Sequence, residues 1–172
     1  AANTFLGSEG NLLQPDRKSC RQLELEHPLL SNEELNLIKN LDQTGFKTAT
    51  LEIVFDKEKE SLEERMEALF KEAEELIAEG VNILILSDRG INGSKAAVPA
   101  LLAVSGLHHY LIKKGLRTEL SLVLESGEPR EVNHFSALIG YGLDAVNPYL
   151  AYSSLEQLAA EGDLKLSPEK AV

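Results

Sequence analysis

Residues 81–89, "VNILILSDR", join a run of branched apolar side chains to a polar ending. An unbroken apolar run of this kind is typical of a strand in a parallel sheet that is covered on both faces. The polar residues Ser87, Asp88 and Arg89 then lie at the carboxyl end of the strand, where α/β proteins bind their ligands. This stretch predicts an α/β fold and a candidate site at one edge of its sheet.

Strands and helices alternate on both sides of this stretch. Further strands are predicted at "FKTATLEIVFD" (46–56), "LSLVLE" (120–125) and "DAVNP" (144–148). Helices are predicted after three capping boxes, which are Ser31 with Glu34, Ser61 with Glu64 and Ser153 with Glu156, and also at 98–114 and 130–142. The resulting β-α-β-α-β-α-β-α order predicts a mostly parallel sheet, either half of a (β/α)₈ barrel or a small open doubly wound sheet.

The chain divides into three segments by composition. Residues 1–30 show no sustained period and carry Gly7, Gly10, Pro15 and Pro28, so we expect an extended lead-in or linker. Residues 31–162 are predicted to form a single α/β domain, and residues 163–172 a frayed polar tail. A total of 172 residues is enough for one ordinary core and too few for two.

Charge and hydropathy exclude several classes of protein. The formal net charge of −11 argues against nucleic acid as a partner, because phosphate binding needs clustered Lys and Arg. We expect no membrane association either, because there is no long apolar run and no secretory signal, and this predicts a cytosolic or organellar setting. Cys20 is the sole cysteine, so it can form neither an internal disulfide nor, alone, a zinc site.

Polar side chains follow each predicted strand and define a candidate rim. The rim residues, together with one histidine on the helix after the third strand, are Ser87, Asp88, Arg89, Glu125, Ser126, Glu128, His134, Asn147 and Tyr149. Asp88 and Glu125 could form a general acid/base pair if their surroundings separate their pKa values. Alternatively, Asp88 and Arg89 pair with Glu125 or Glu128 in a structural ion network.

The short motifs assign no catalytic, cofactor-binding or metal-binding residue. The loop "DRGINGSKAA" lacks the spacing of a phosphate loop, and "GYGLDA" ends a helix, whereas the dinucleotide fingerprint opens one. His108 and His109 are adjacent on a helix and point about 100° apart, so they cannot share a metal ion. We expect one of them to pack inward and the other to face solvent.

Longer segments resemble a known family. They are "LGSEGNLL", "RQLELEHPLLSNEEL", "LILSDRGIN" and "VPALLAVSGLHHYLIKKGLRTELSLVLESGEPREVNHFSALIGYGLDAVNPYLA". They are similar to the central domain of the glutamate synthase large chain, in enzymes that use ferredoxin or NADPH. The resemblance implies a parent enzyme of ammonia assimilation, in which glutamine is hydrolysed and ammonia passes through a tunnel to 2-oxoglutarate. There a flavin reduces the imine to glutamate.

The resemblance implies an interdomain role for this chain. Its partners would be the glutaminase and FMN-binding synthase domains of the same parent chain, while ferredoxin or an NADPH-oxidising subunit would supply the parent with electrons. FMN and the iron–sulfur cluster would lie outside this chain, which is expected to bind no cofactor and to catalyse no reaction. Its expected role is to position the neighbouring domains and to form part of the tunnel wall. The setting would be the cytoplasm, or the plastid stroma in a plant or alga. The alternatives are an autonomous small α/β enzyme or anion-binding module that uses Asp88, Arg89 and Glu125, and self-association of the chain.

Overall fold

The computed structural model describes residues 3–11, 13–14 and 16–162. The predicted tail, 163–172, lies outside the described residues. In chain order the strands and α-helices are β1 (Thr4–Leu6), β2 (Leu23–Leu25), α1 (Asn32–Lys39), β3 (Thr48–Glu52), β4 (Val54–Asp56), α2 (Leu62–Ala78), β5 (Ile83–Ser87), β6 (Lys95–Ala97), α3 (Ala100–Lys114), β7 (Ser121–Glu125), α4 (Val132–Gly140), β8 (Ala145–Asn147) and α5 (Tyr149–Glu161). Short 3₁₀ helices cover Arg17–Cys20 and Arg117–Glu119.

The main sheet has four parallel strands in the order β3-β5-β7-β8. This confirms the predicted α/β fold with a parallel sheet. Each strand lies beside the one that precedes it in the chain, whereas a doubly wound sheet reverses its strand order at a switch point. Of the two forms that the sequence leaves open, the structure therefore has the sequential order of a half-barrel.

The two faces of the sheet are covered by different parts of the chain. Alternate strand residues such as Leu84 and Leu122 pack against the crossover helices α2, α3 and α4, in the larger of two buried clusters. The intervening residues, such as Ile83 and Val123, pack against α1 and the amino-terminal segment, where Leu6 and Leu30 are almost fully buried. Each fully buried leucine contributes roughly 1.5–3 kcal/mol, so the amino-terminal segment stabilises the sheet directly.

The parallel strands give the sheet two chemically distinct edges. We call the edge where β5 and β7 end, at Ser87 and Glu125, the carboxyl edge. The opposite edge, where the same strands begin at Ile83 and Ser121, is the amino edge. All carboxyl ends lie together because the strands run in one direction, so residues far apart in sequence meet there.

The predicted strand 46–56 is interrupted, which corrects the sequence interpretation. β3 ends at Glu52, and β4 leaves the main sheet to pair antiparallel with β6. The break lies at Ile53, whose amide donates to the Ser87 carbonyl while its own carbonyl accepts from the Val98 amide. Ile53 therefore bonds to two different segments, and the chain turns from one sheet into the other.

Two of the three predicted capping boxes are confirmed. The Ser31 and Ser61 side chains accept from the amides of Glu34 and Glu64, whose carboxylates accept in return from the serine amides. The third prediction is wrong, because α5 begins earlier, at Tyr149, directly after Pro148. Ser153 therefore lies inside the helix, where its hydroxyl donates to the Tyr149 carbonyl one turn back.

Residues 3–11, 13–14 and 16–162 contain neither a membrane-spanning helix nor a cluster of metal ligands. No helix in this part of the chain has both the length and the apolar character needed to cross a membrane. Across the same residues there is no group of three or more His, Cys, Asp or Glu side chains placed to hold a metal ion.

Candidate functional site

Glu125, the last residue of β7, is the centre of a charged network at the carboxyl edge. Its side chain is only 3% exposed, and both of its oxygens accept hydrogen bonds. The Lys39 ammonium and the Ser87 hydroxyl donate to Oε2 over 2.7 Å each, and Arg89 Nε donates to Oε1 over 2.6 Å. Pairing of β5 with β7 places Ser87 directly opposite Glu125. The carboxylate is therefore occupied by donors of its own chain.

The pKa of Glu125 shows which influence dominates. Burial alone would raise this pKa, because the charged form loses its water. The hydrogen bonds from Lys39, Ser87 and Arg89 outweigh burial, and the pKa lies below its ordinary value of 4.5. Glu125 is consequently ionised at neutral pH, where an efficient general acid or base needs a pKa near the working pH. This argues against the acid/base pair that the strand ends suggest.

Asp88 is the centre of a second, neighbouring network. It is only 1% exposed, and it accepts from the Ser126 hydroxyl over 2.6 Å, the Gly127 amide over 3.0 Å and the Tyr149 hydroxyl over 2.8 Å. Burial and the hydrogen bond to Asp88 raise the pKa of Tyr149 to about 12, so its hydroxyl stays protonated and donates. Asp88 thus ties the loop after β7 to the start of α5.

Arg89 connects the two networks. Its Nε is bonded to Glu125, and the central carbon of its guanidinium lies 4.1 Å from the centre of the Tyr149 ring. This stacking is a cation–π contact. The side chain is 49% exposed, and within the described residues neither of its Nη atoms has a hydrogen-bond partner. The guanidinium is therefore fixed on one side and open on the other.

The other predicted rim residues have separate structural partners. Glu128 accepts from the Ala100 amide over 3.1 Å at the start of α3, and its own amide donates to the Ser126 hydroxyl. His134 lies on α4, where its Nδ1 accepts from the Arg130 amide over 3.2 Å. Glu128 thus joins the Asp88 network through Ser126, whereas His134 caps its own loop.

Asn147 ends β8 but joins neither network. Its Nδ2 donates to the Leu30 carbonyl over 2.9 Å and to Asn32 Oδ1 over 3.1 Å, which ties β8 to the start of α1. Its own Oδ1 is buried and has no hydrogen-bond partner among the described residues. The rim of nine predicted residues therefore contains seven connected ones, and His134 and Asn147 stand apart.

The structure adds Lys39, which the sequence interpretation did not include. Lys39 lies in the last turn of α1, 86 residues from Glu125 in sequence, and no local pattern links the two. Of the open alternatives, the ion network with an Arg89–Glu125 pair is confirmed. Asp88, by contrast, is bonded to hydroxyls and an amide rather than to a cation.

Three cavities in the described part of the chain lie outside the Glu125 network, and one of them is lined by Glu128 of the Asp88 network. A cavity of about 460 Å³ is at the amino edge and is lined in part by Arg21, Lys47 and Asn82. A cavity of about 440 Å³ adjoins it and shares Arg21. A smaller apolar one, of about 200 Å³, lies between α3 and α4 beside His134. None of the three is lined by Arg89, Lys39 or Glu125.

Arg117 is the centre of a third network, which lies at the amino edge. Arg117 donates from Nε to His108 Nδ1 over 3.0 Å, from Nη1 to the Leu120 carbonyl over 2.7 Å, and from Nη2 to the Gly142 carbonyl and Asp144 Oδ2 over 2.7 and 3.0 Å. His108 is half-buried and His109 exposed, as predicted for the pair. Burial and the nearby Arg117 charge lower the pKa of His108, which accepts from Arg117 as a neutral ring.

The iron–sulfur cluster that the resemblance implies for a parent enzyme does not fit this chain. Such clusters are held by several cysteine thiolates, commonly four. The chain has one cysteine, Cys20, which is exposed. No step of chemistry can therefore be assigned to a cluster held by these residues.

The chain is similar to known proteins over almost all of its length. The family model described as the glutamate synthase central domain matches residues 1–172. The chain is 47% identical over 169 residues to the large chain of an NADPH glutamate synthase of Bacillus subtilis, a match covering 98% of this chain and 11% of the relative. It is 37% identical over 165 residues to an NADH glutamate synthase of Schizosaccharomyces pombe, covering 94% of this chain and 8% of that relative.

A third relative uses another electron donor. The chain is 38% identical over 159 residues to ferredoxin-dependent glutamate synthase 2 of Synechocystis, a match that covers 89% of this chain and 10% of the relative. The chain therefore spans about a tenth of the length of the curated relatives that it matches.

Proposed function

The chain belongs to the glutamate synthase central domain family, and we propose that it is a spacer domain without catalysis of its own inside a longer glutamate synthase. In that role it fixes the position of the glutaminase domain relative to the FMN-binding synthase domain, and it forms part of the wall of the ammonia tunnel. The parent enzyme makes glutamate from glutamine and 2-oxoglutarate by glutamine hydrolysis, ammonia transfer and flavin-dependent reduction.

The filled carboxyl edge is the observation that carries this proposal. An α/β enzyme keeps polar groups free at the ends of its strands so that they can bind substrate. Here Asp88 and Glu125 are buried, and both accept hydrogen bonds from their own chain. These hydrogen bonds stabilise the edge and occupy both carboxylates, which favours a structural role.

Exposed apolar side chains also support a domain with neighbours. Leu150, Leu155 and Leu158 of α5 are each more than a third exposed, and they lie within one broad face of the helix. Exposed apolar surface is typical of a protein–protein contact. We propose that another part of the parent chain covers this face, and that the separated chain self-associates through it.

We propose that residues outside this domain select the electron donor of the parent enzyme. The relatives named above use NADPH, NADH and ferredoxin, yet each is similar to this chain over at least 89% of it. A segment common to all three does not distinguish them. FMN, the iron–sulfur cluster and the contact with ferredoxin or an NADPH-oxidising subunit then belong to other domains, in the cytoplasm or the plastid stroma.

An excision experiment tests the spacer role. We would remove residues 31–162 from the complete parent enzyme and measure glutamine hydrolysis, ammonia-dependent glutamate formation and glutamine-dependent glutamate formation separately. We expect the first two activities to persist and the third to be lost, because only the third needs aligned domains. Ammonia-dependent activity reports whether the synthase site is still folded.

A milder variant keeps the test valid if excision unfolds the parent. Alanine substitution of Leu155 and Leu158 leaves the domain in place and removes part of its exposed apolar face, and the unfolding free energy of the same variant shows how much internal packing is lost. Unchanged transfer of ammonia from glutamine in both variants, or turnover by the separated 172-residue chain, would disprove the spacer role.

A further inference from the structure

We propose that Arg89 anchors this domain to a neighbouring domain of the parent chain by donating two hydrogen bonds to an Asp or Glu carboxylate of that neighbour. The inference rests on the proposed spacer function and names the chemistry of its partner. It concerns a single side chain at the carboxyl edge, whereas the other charged rim residues are bonded within their own chain.

The guanidinium of Arg89 is held in place before any partner arrives. Nε is bonded to the buried Glu125 carboxylate, and one flat face is stacked on the Tyr149 ring at 4.1 Å. The side chain remains 49% exposed, and neither Nη atom is bonded within the described residues. Two parallel donors on a planar fork match the two oxygens of a carboxylate. Fixing the fork in advance reduces the entropy that binding would cost.

The local charge favours an anionic partner. Glu125 carries one negative charge and is bonded to two cations, Arg89 and Lys39. The Lys39 side chain is also partly exposed, whereas Glu125 and the neighbouring Asp88 are almost fully buried, so the exposed charges of these four residues are the two cations. The chain as a whole has a formal net charge of −11, and an acidic side chain of a neighbour is attracted to these cations.

The surroundings of Arg89 favour a protein partner over a small acid. Ile91 and Leu150, next to the Arg89–Tyr149 stack in the chain, are 52% and 48% exposed. An arginine and a tyrosine beside exposed aliphatic residues are typical of the energetic centre of a protein interface. A small ligand is usually enclosed by a pocket, and none of the three cavities described above is lined by Arg89.

In this proposal the carboxylate that bonds to Arg89 belongs to another part of the same parent chain. The relatives are about nine or more times as long as this chain, so most of the polypeptide lies outside the structure. A neighbouring domain joined to the same chain is present at high effective concentration, so that even one weak contact between Arg89 and a carboxylate is populated.

Carbodiimide cross-linking of the complete parent enzyme tests this proposal. Carbodiimide joins a lysine amine to a carboxylate in direct contact, and arginine does not react. In the variant Arg89→Lys we expect a new isopeptide bond from position 89 to an Asp or Glu outside residues 1–172, identified by peptide mass spectrometry. The matched control is Arg21→Lys, an exposed arginine at the amino edge, which should give no such bond.

The outcomes separate this inference from the spacer function. Cross-links to other domains from native lysines such as Lys57 or Lys113, with none from position 89, would overturn the Arg89 anchor and leave the spacer role intact. Absence of any cross-link between this domain and the others would overturn both.

A titration distinguishes a free acid from a neighbour's side chain. Glutarate added to the separated chain, followed by NMR, should give no saturable shift at residues around Arg89. Saturable binding that Arg89→Gln abolishes would assign the fork to a small dicarboxylate and overturn the interdomain anchor.

Discussion

Arg89 and Arg117 lie at opposite edges of one sheet and use the same side chain differently. Arg117 donates from Nε, Nη1 and Nη2 to four acceptors of its own chain, and its side chain is 18% exposed. Arg89 donates from Nε alone and is 49% exposed. At the amino edge all three side-chain nitrogens of Arg117 are bonded within the chain. At the carboxyl edge the two Nη atoms of Arg89 have no hydrogen-bond partner among the described residues.

This difference shows where the domain can be functional. Charges alone would point to Asp88 and Glu125, but both carboxylates are already bonded to their own chain. Hydrogen-bonding capacity remains on the cation that these carboxylates help to position. We propose that the position of a free donor, rather than the presence of charged residues, marks the surface that meets a neighbour.

The largest expected effect tests this contrast directly. We expect Arg117→Ala to lower the free energy of unfolding by about 3–4 kcal/mol, because it leaves two carbonyls without their donor and removes the cation paired with Asp144. Arg89→Ala should cost less than about 1 kcal/mol, because its ion pair is half exposed. Urea denaturation of the 172-residue chain measures both. Equal losses would remove the distinction between the edges.

The next effect concerns the buried carboxylate. Glu125→Ala should lower the free energy of unfolding by about 2–3 kcal/mol, because Lys39 and Arg89 lose their common acceptor in a buried site. Glu125→Gln keeps the shape and one acceptor oxygen, so it should cost less. The same denaturation series compares them. If both variants match the wild type, Glu125 is not the centre of the network.

A smaller effect is expected at the link between the two carboxyl-edge networks. Tyr149→Phe removes the hydroxyl bonded to Asp88 and keeps the ring under Arg89. We expect a loss of about 1 kcal/mol in the free energy of unfolding, since Asp88 keeps two other donors. A loss as large as that of Glu125→Ala would show that the ring, rather than the hydroxyl, had been disturbed.

The two edges should also lose stability in different pH ranges. The folded-state pKa of His108 is lowered from 6.5, so its contribution is complete above that pH and is lost as the pH falls through the lowered value. Glu125 behaves likewise below its ordinary 4.5. Urea denaturation from pH 8 to well below pH 4.5 should therefore show a first decline that His108→Gln removes and a later one that Glu125→Gln removes. A single decline insensitive to both would contradict these assignments.

The parts that the sequence predicted depend on residues close together in the chain. The Ser31 and Ser61 capping boxes join residues three positions apart, and the apolar run 83–86 identifies its strand by itself. The break at Ile53 was missed because it depends on hydrogen bonds to Ser87 and Val98.

The early start of α5 was missed for a related reason. The residue before the helix is Pro148, which makes no side-chain capping bond, so no serine-type signal marks the true start of α5.

The sequence predicted which residues lie at the site, but not which of them bond to one another. The expectation that residues at the carboxyl ends of parallel strands lie together was correct for Ser87, Asp88, Arg89 and Glu125. It could not show which carboxylate each donor selects, nor that Lys39 arrives from α1, because these pairings depend on distances across the folded chain. The free side of Arg89 is visible only when the acceptors of the neighbouring donors are known.

The ratio of glutamine hydrolysed to glutamate formed by the complete parent enzyme tests the central claim most directly. The measurement compares the wild type with Arg89→Ala, and the unfolding free energy of the same variant in the separated chain serves as its control. The account predicts that the ratio rises several-fold while stability changes by less than about 1 kcal/mol. An unchanged ratio, or a rise that only follows loss of folded protein, would contradict it.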